Sequence, residues 1–190
     1  MFGRSKLLCI VVAVSVSATA MLSKAFAENV NLTHTLEEQE ELSQFKADLE
    51  STGVIDELSS KTSYTIFAPT NDAIHKIIHG EQACAYSKRC KAKMAEIMRS
   101  HIVLGEMPLD DLIKQNGTVY SINHRLIHIS AEQNGTFAVN GNSIVAEPQA
   151  GRDKIYEIDG VMANPQEQSD MSKFGEAQSQ VGFLAELLKK

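Results

Sequence analysis

A chain of 190 residues with 43% hydrophobic and 22% charged side chains suits one globular domain with extensions, and is neither disordered nor collagen-like. Its formal net charge of -6 argues against broad attraction to nucleic acid or anionic lipid. With no Trp and 6% aromatic residues, few rings are available for base stacking or carbohydrate platforms.

Residues 1–27 carry Arg4 and Lys6, then an apolar run from Leu7, then the small-residue ending Ala25-Phe26-Ala27. That order is the pattern of a secretory signal peptide. The apolar run is interrupted by Ser15, Ser17 and Thr19 and closes near Leu22, short of the ~20 residues a membrane span needs. Cleavage is expected after Ala27, giving a secreted or periplasmic protein with no integral membrane segment. Loss of Arg4, Lys6 and Lys24 makes the remaining chain three charges more negative. Cys9 leaves with the signal, so Cys84 and Cys90 remain, an even count that favours a disulfide in an oxidising compartment. A continuous helix would hold their Cα atoms about 9 Å apart, beyond the roughly 7 Å a disulfide tolerates, so a paired segment has to turn. The absence of CxxC spacing argues against a redox or metal pair.

Residues 28–39 form a lead-in. Thr35 with Glu38 makes a capping box, and Leu42, Phe45 and Leu49 repeat at helical spacing until Gly53 supplies a stop. A short apolar turn at Val54, Ile55 and Leu58 precedes the strand-like run Ser63-Tyr64-Thr65-Ile66-Phe67-Ala68. Pro69 cannot extend a hydrogen-bonded ladder, and Thr70 or Asn71 can accept from the free amides of the next helical turn, whose buried side is Ala73, Ile74, Ile77 and Ile78. Met94, Ile97, Met98, His101 and Ile102 share a helical face closed by Gly105 and Pro108, and a short helix spans 109–114. From Thr118 to Ala163 the chain becomes short β-branched and apolar runs broken by Asn134-Gly135, Asn140-Gly141, Gly151 and Asp159-Gly160, the vocabulary of hairpins and tight turns. Helices first and strands afterwards predict an α+β domain with an antiparallel sheet system.

Three blocks carry a family resemblance: FKADLESTGVIDELSSKTSYTIFAPTNDAI with its Tyr64 to Asn71 core, HIVLGEM from His101 to Met107, and KIYEIDGVMANP from Lys154 to Pro165. In that order, over residues 40–165, the sequence resembles a fasciclin domain. The resemblance implies a wedge of two β-sheets with helices packed on it, used outside the cell as a non-catalytic adhesion or protein-interaction module, with a protein, cell-surface or matrix partner and no cofactor. Animal members carry a Tyr-His pair and a Glu-Pro-Asp-Ile-Met segment linked to receptor binding. Here Ser100 precedes His101, and the second segment reads Glu147-Pro148-Gln149-Ala150-Gly151. Integrin-type recognition is therefore not expected, and Glu147 and Pro148 remain candidate partner contacts.

His101 lies on the apolar face of its helix, which marks it as an architectural histidine. Capping and turn formation account for Thr70, Asn71 and Asp159. His75 and His79 are four apart on a predicted helix and His124 and His128 could share a strand face. Two ligands alone make a weak metal site, and HKIIH lacks the Glu of HExxH. No GxSxG, GxGxxG or P-loop is present, so nucleophile-elbow and nucleotide-dependent catalysis have no motif here, and a small-ligand carrier or hydrolase using a groove between sheets and helices stands only as the default alternative. Asn31, Asn116 and Asn134 head glycosylation sequons. Beyond Pro165 a polar extension over 166–190 ends in an amphipathic turn carrying Val181, Phe183, Leu184, Leu187 and Leu188.

Overall fold

The computed structural model describes residues 32–58, 62–77, 88–114, 116–133 and 135–173. The helices are α1 (Leu32–Glu38), α2 (Ser43–Thr52), α3 (Val54–Glu57), α4 (Asn71–His75), α5 (Lys88–Ser100) and α6 (Leu109–Lys114), with residues 165–173 forming a further helix, α7. The strands are β1 (Tyr64–Pro69), β2 (Ile102–Leu104), β3 (Thr118–Tyr120), β4 (Leu126–Ala131), β5 (Phe137–Val139), β6 (Asn142–Ala146), β7 (Gln149–Ala150) and β8 (Asp153–Ile158). They pair in the order β2-β1-β8-β6-β5-β4-β3, with β7 on β8. The α+β class read from the sequence is the class of the fold.

Every residue of β1 is buried, because both faces of the β2-β1-β8 layer are covered. Ile66, Ile102 and Ile155 point to one side, among the apolar faces of α2 and α5. Phe67, Val103 and Tyr156 point to the other, where Ile127, Ile129 and Val139 of β4 and β5 meet them. Period-2 alternation thus serves two cores at once. Phe67 and Tyr156 lie side by side in register, their rings stacked at 5.7 Å and 22°.

The pairing of β1 with β8 is parallel, from Thr65↔Lys154 to Pro69↔Ile158, while the other strand pairs are antiparallel. The expectation of a purely antiparallel system is corrected here. Parallel strands require a long crossover, and the crossover is the whole sequence between them, helices and hairpins included. Pro69 closes β1 without needing an N–H, and the Thr70 N–H returns to the Ile158 carbonyl at 3.0 Å.

Three local expectations change. Thr35 does not cap a helix: it is buried inside α1, and the chain breaks at Gln39 (φ -101, ψ 100) before a 3-10 turn at Glu40–Leu42 leads into α2. The described part of the lead-in, residues 32–39, is therefore a packed element, with Leu36 1% exposed. The helix carrying Met94 and Ile97 ends at Ser100, so His101 and Ile102 lie beyond it, and Ile102 opens β2. Finally, the start of the predicted loose extension is α7. Asn164 Oδ1 accepts from the Glu167 N–H and Glu167 Oε2 accepts from the Asn164 N–H, both at 2.9 Å, a reciprocal cap around Pro165 at the first helical position. Met171 on α7 is fully buried. The predicted terminal turn from Val181 to Leu188 lies outside the described residues.

Candidate functional site

The two ends of the strand order meet. Val103 of β2 bridges Ser121 just after β3, antiparallel, and the Ile122 N–H reaches the Ile102 carbonyl at 2.8 Å. That register sets Leu104 opposite Tyr120, and β3–β4 pairing sets Tyr120 opposite Leu126. The inward neighbours Val103, Ser121 and Ile127 are buried, so by the pleat these three side chains face out. Leu104 is 60% exposed, Tyr120 66% and Leu126 56%, making a cross-strand apolar row on the surface. Isolated exposed apolar residues are ordinary; three in register across three strands form a patch.

Beside Leu126 runs a groove of about 310 Å³ between the β4–β6 region and the segment 161–168. Arg125 at its edge holds Glu167 of α7 through two nitrogens, one bond measuring 2.8 Å. That pairing keeps the Glu167 carboxyl below the usual carboxylate range. Asn140, Asn142, Asn164 and Gln168 supply the groove's remaining polar side chains apart from Ser100.

The residues singled out from the sequence lie elsewhere, apart from His101, which reaches the groove wall. Thr70 Oγ1 accepts from the Ala73 N–H at 3.2 Å at the start of α4. Asn71 turns to a different helix: its Oδ1 accepts from the Gln44 N–H at 2.9 Å, and its Nδ2 donates to the Glu40 carbonyl at 2.8 Å. Leu42, the residue at the cap position of α2, makes no side-chain cap, so Asn71 supplies it from 27 residues away. His101 is fully buried beside Phe45; the Met162 N–H donates to its Nε2 at 2.9 Å, which leaves Nδ1 to donate to the Ile97 carbonyl at 2.7 Å. Burial brings its pKa down to about 4, so the ring is neutral near pH 7. Asp159 Oδ1 accepts from the Ser143 N–H at 2.7 Å, binding the end of β8 to β6. Glu147 is exposed and contacts Lys154 at 3.3 Å; Pro148 beside it is half-buried.

Cys90 is fully buried in the first turn of α5, and Cys84 lies outside the described residues. His75 ends α4, but His79 also lies outside them. His124 sits in a left-handed turn (φ 63) before β4, so it does not share a strand face with His128. Among the described residues no group of three His, Cys, Asp or Glu is placed to hold a metal ion. Asn116 is exposed at the turn after α6, while Asn31 and Asn134 lie outside the described residues. Leu104, Tyr120 and Leu126 went unread in the sequence. A signal for one was present: in Leu126-Ile127-His128-Ile129-Ser130, Leu126 occupies the phase of the polar residues.

Comparisons with known proteins agree with this architecture. A family model described as Fasciclin domain matches residues 40–164. The "Fasciclin-like arabinogalactan protein elcF" of Phaeosphaeria nodorum is 27% identical over 129 residues, 68% of this chain and 38% of that protein. "Protein sll1483" of Synechocystis sp. is 25% identical over 149 residues, 77% of this chain and 81% of its own length. The chain thus spans well under half of the first relative and most of the second. The solved FAS1 domain pair of the insect cell adhesion molecule Fasciclin I is similar in fold, with a TM-score of 0.60 at 16% identity over 72% of this chain and 52% of that one. Among the described residues no helix is long and apolar enough to cross a membrane. With the family match covering more than half of its length, the chain belongs to the fasciclin-domain family.

Proposed function

We propose that this fasciclin-domain chain is exported by its N-terminal leader and works outside the cytoplasm as a non-catalytic adhesion or protein-interaction module. The single observation that carries the reading is the outward row Leu104–Tyr120–Leu126. It has the composition of an interface centre, an aromatic residue flanked by aliphatic ones, on a sheet whose other side is packed core. The leader pattern of residues 1–27 supports export, and pairing of Cys84 with Cys90 is part of the same proposal, since an oxidising compartment permits it. Glu147, Pro148 and the exposed Val145 form a secondary candidate contact.

Hydroxyl-radical footprinting of the full chain, alone and bound to extracellular material from the organism that makes it, tests the reading. Protection concentrated at Leu104, Tyr120 and Leu126 is expected. Binding that leaves these three as reactive as in the free chain removes this face as the contact. N-terminal sequencing of native material is expected to start at Glu28.

A further inference from the structure

The groove next to the apolar row has an unusual supply of half-engaged carboxamides. Asn140 Oδ1 accepts from the His128 N–H at 2.8 Å, and Asn164 Oδ1 from the Glu167 N–H at 2.9 Å. Asn142 Nδ2 donates to the Val139 carbonyl at 3.1 Å and Gln168 Nε2 to the Ala163 carbonyl at 2.9 Å. A backbone group therefore fixes one end of each amide and with it the orientation of the other. The ends left over are complementary. Asn164 Nδ2 has no protein partner among the described residues, and Asn140 Nδ2 has only the Met162 sulfur at 3.7 Å; both are donors. Gln168 Oε1 is an acceptor without a donor among the described residues, whereas Asn142 Oδ1 packs on Gly160.

This lining carries no unpaired charge, because the Arg125 guanidinium is taken up by Glu167. An anion would find no free cation there, and a cation no free carboxylate. A hydroxyl group gives one hydrogen bond and accepts others, so a set of neutral donors and acceptors suits several hydroxyls on one small ring. The volume of about 310 Å³ falls at the low end of ligand-sized clefts, ~300–1,000 Å³. One of the chain's 4 tyrosines, Tyr120, lies directly across the strand pair from Leu126, which lines the groove. Its exposed ring offers a flat apolar face to the C–H side of a sugar.

We propose that this groove binds a neutral pyranose sugar, with Asn140, Asn164 and Gln168 as its hydrogen-bonding groups and Tyr120 as its stacking ring. The inference rests on the same face as the interaction reading and names a chemistry for what that face meets.

Isotope-labelled full-length chain is titrated with galactose, mannose, glucose and their methyl glycosides into the tens of millimolar, with glucuronate and inorganic phosphate as anionic probes, and followed by NMR. At least one neutral sugar is expected to give saturable shifts of the Asn140 and Asn164 side-chain amides and of the Tyr120 ring. A methyl glycoside that binds as well as its free sugar marks the end of a glycan as the source; preference for the free sugar marks a soluble one. Asn140→Asp and Asn164→Asp keep the acceptor that each backbone N–H uses but remove the free donor, and each is expected to weaken binding about tenfold with the fold intact. Absence of saturable shifts with every sugar, shifts remote from the groove, or tighter binding of phosphate or glucuronate overturns the proposal. Footprint protection of Leu104, Tyr120 and Leu126 by extracellular material with no sugar response defeats this inference alone. Sugar binding without that protection defeats the interaction reading alone.

Discussion

Asn71 shows how one side chain joins two parts of the molecule. By capping α2 and holding the Glu40 carbonyl, it locks the end of the β1 segment onto the N-terminal helices. Loss of a cap alone costs about 1 kcal/mol, so Asn71→Ala is expected to lower stability by about 1–2 kcal/mol in denaturant melts, and Asn71→Asp, which keeps the acceptor, by less. Two titratable groups, the buried His101 and the half-buried Asp48, act in opposite directions. His101, with its pKa lowered to about 4 from 6.5, leaves the unfolded chain binding more protons between those values, so its contribution to stability is lost as pH falls through that window. Asp48 on α2 is the reverse. Its Oδ2 is buried without a hydrogen-bond partner, and burial raises its pKa to about 7 from 3.8, opposed by the hydrogen bond from Gln44. The folded state there holds its proton longer, so stability falls as pH rises from about 4 to 7. Asp48→Asn removes that second slope. The variant is expected to be more stable than the parent at pH 8 by a few kcal/mol, since each tenfold change in proton affinity on folding is worth about 1.4 kcal/mol, and to lose stability more steeply between pH 6.5 and 4. A parent-like pH profile in Asp48→Asn contradicts this assignment. Thr70 could be read from the sequence because its cap is local, whereas the target of Asn71 could not, since nothing near position 71 names a helix 27 residues earlier.

At the level of elements, α7 is held by its own reciprocal cap, by Arg125–Glu167 and by a Lys93–Asp170 pair. Arg125→Ala leaves the cap in place and removes the cross-link to β4. It is expected to cost about 1 kcal/mol, as partly exposed pairs do, and to speed hydrogen exchange of the 165–173 amides more than those of β1. Equal acceleration in both segments would mean that α7 is not a separately opening unit. The Asn-Pro-Gln-Glu signature of this helix was present in the sequence, yet the polar residues around it read as a linker because a single buried Met171 gives no periodic apolar stripe. Gly160 is set by close approach: a Cβ there would lie 2.0 Å from Asn142 Oδ1. Gly160→Ala is therefore expected to be clearly destabilising, and Asn142→Ala to recover part of the loss in a double-mutant cycle of thermal melts. Alternation made β4 readable strand by strand, but the parallel β1–β8 pairing was not. β1 is buried throughout and β8 over its last four residues, and neither the apolar run of the first nor the mixed Asp-Lys-Ile-Tyr-Glu-Ile of the second carries a mark of direction or partner.

Over the whole molecule, helices cover one side of the β2-β1-β8 layer and strands cover the other, and the bridge from β2 to Ser121 draws the two ends of the strand order together. The strand that the first fasciclin block fills, Tyr64 to Pro69, is consequently interior, and of the three residues that face solvent at the junction only Leu104 belongs to a family block, while Tyr120 and Leu126 lie outside all three. The fold class and family blocks were legible because burial patterns and turn residues repeat locally. The candidate face was not, because Leu104, Tyr120 and Leu126 become neighbours only when β2, β3 and β4 are in register. The most direct test of this face is cell attachment to surfaces coated with the full chain, using cells of the organism that makes it. Parent protein is compared with Leu104→Ser/Leu126→Ser, two outward substitutions expected to leave the melting temperature nearly unchanged. Attachment by the parent that falls about tenfold or more in the variant is the predicted result. Attachment equal in both, or absent in both, would contradict it.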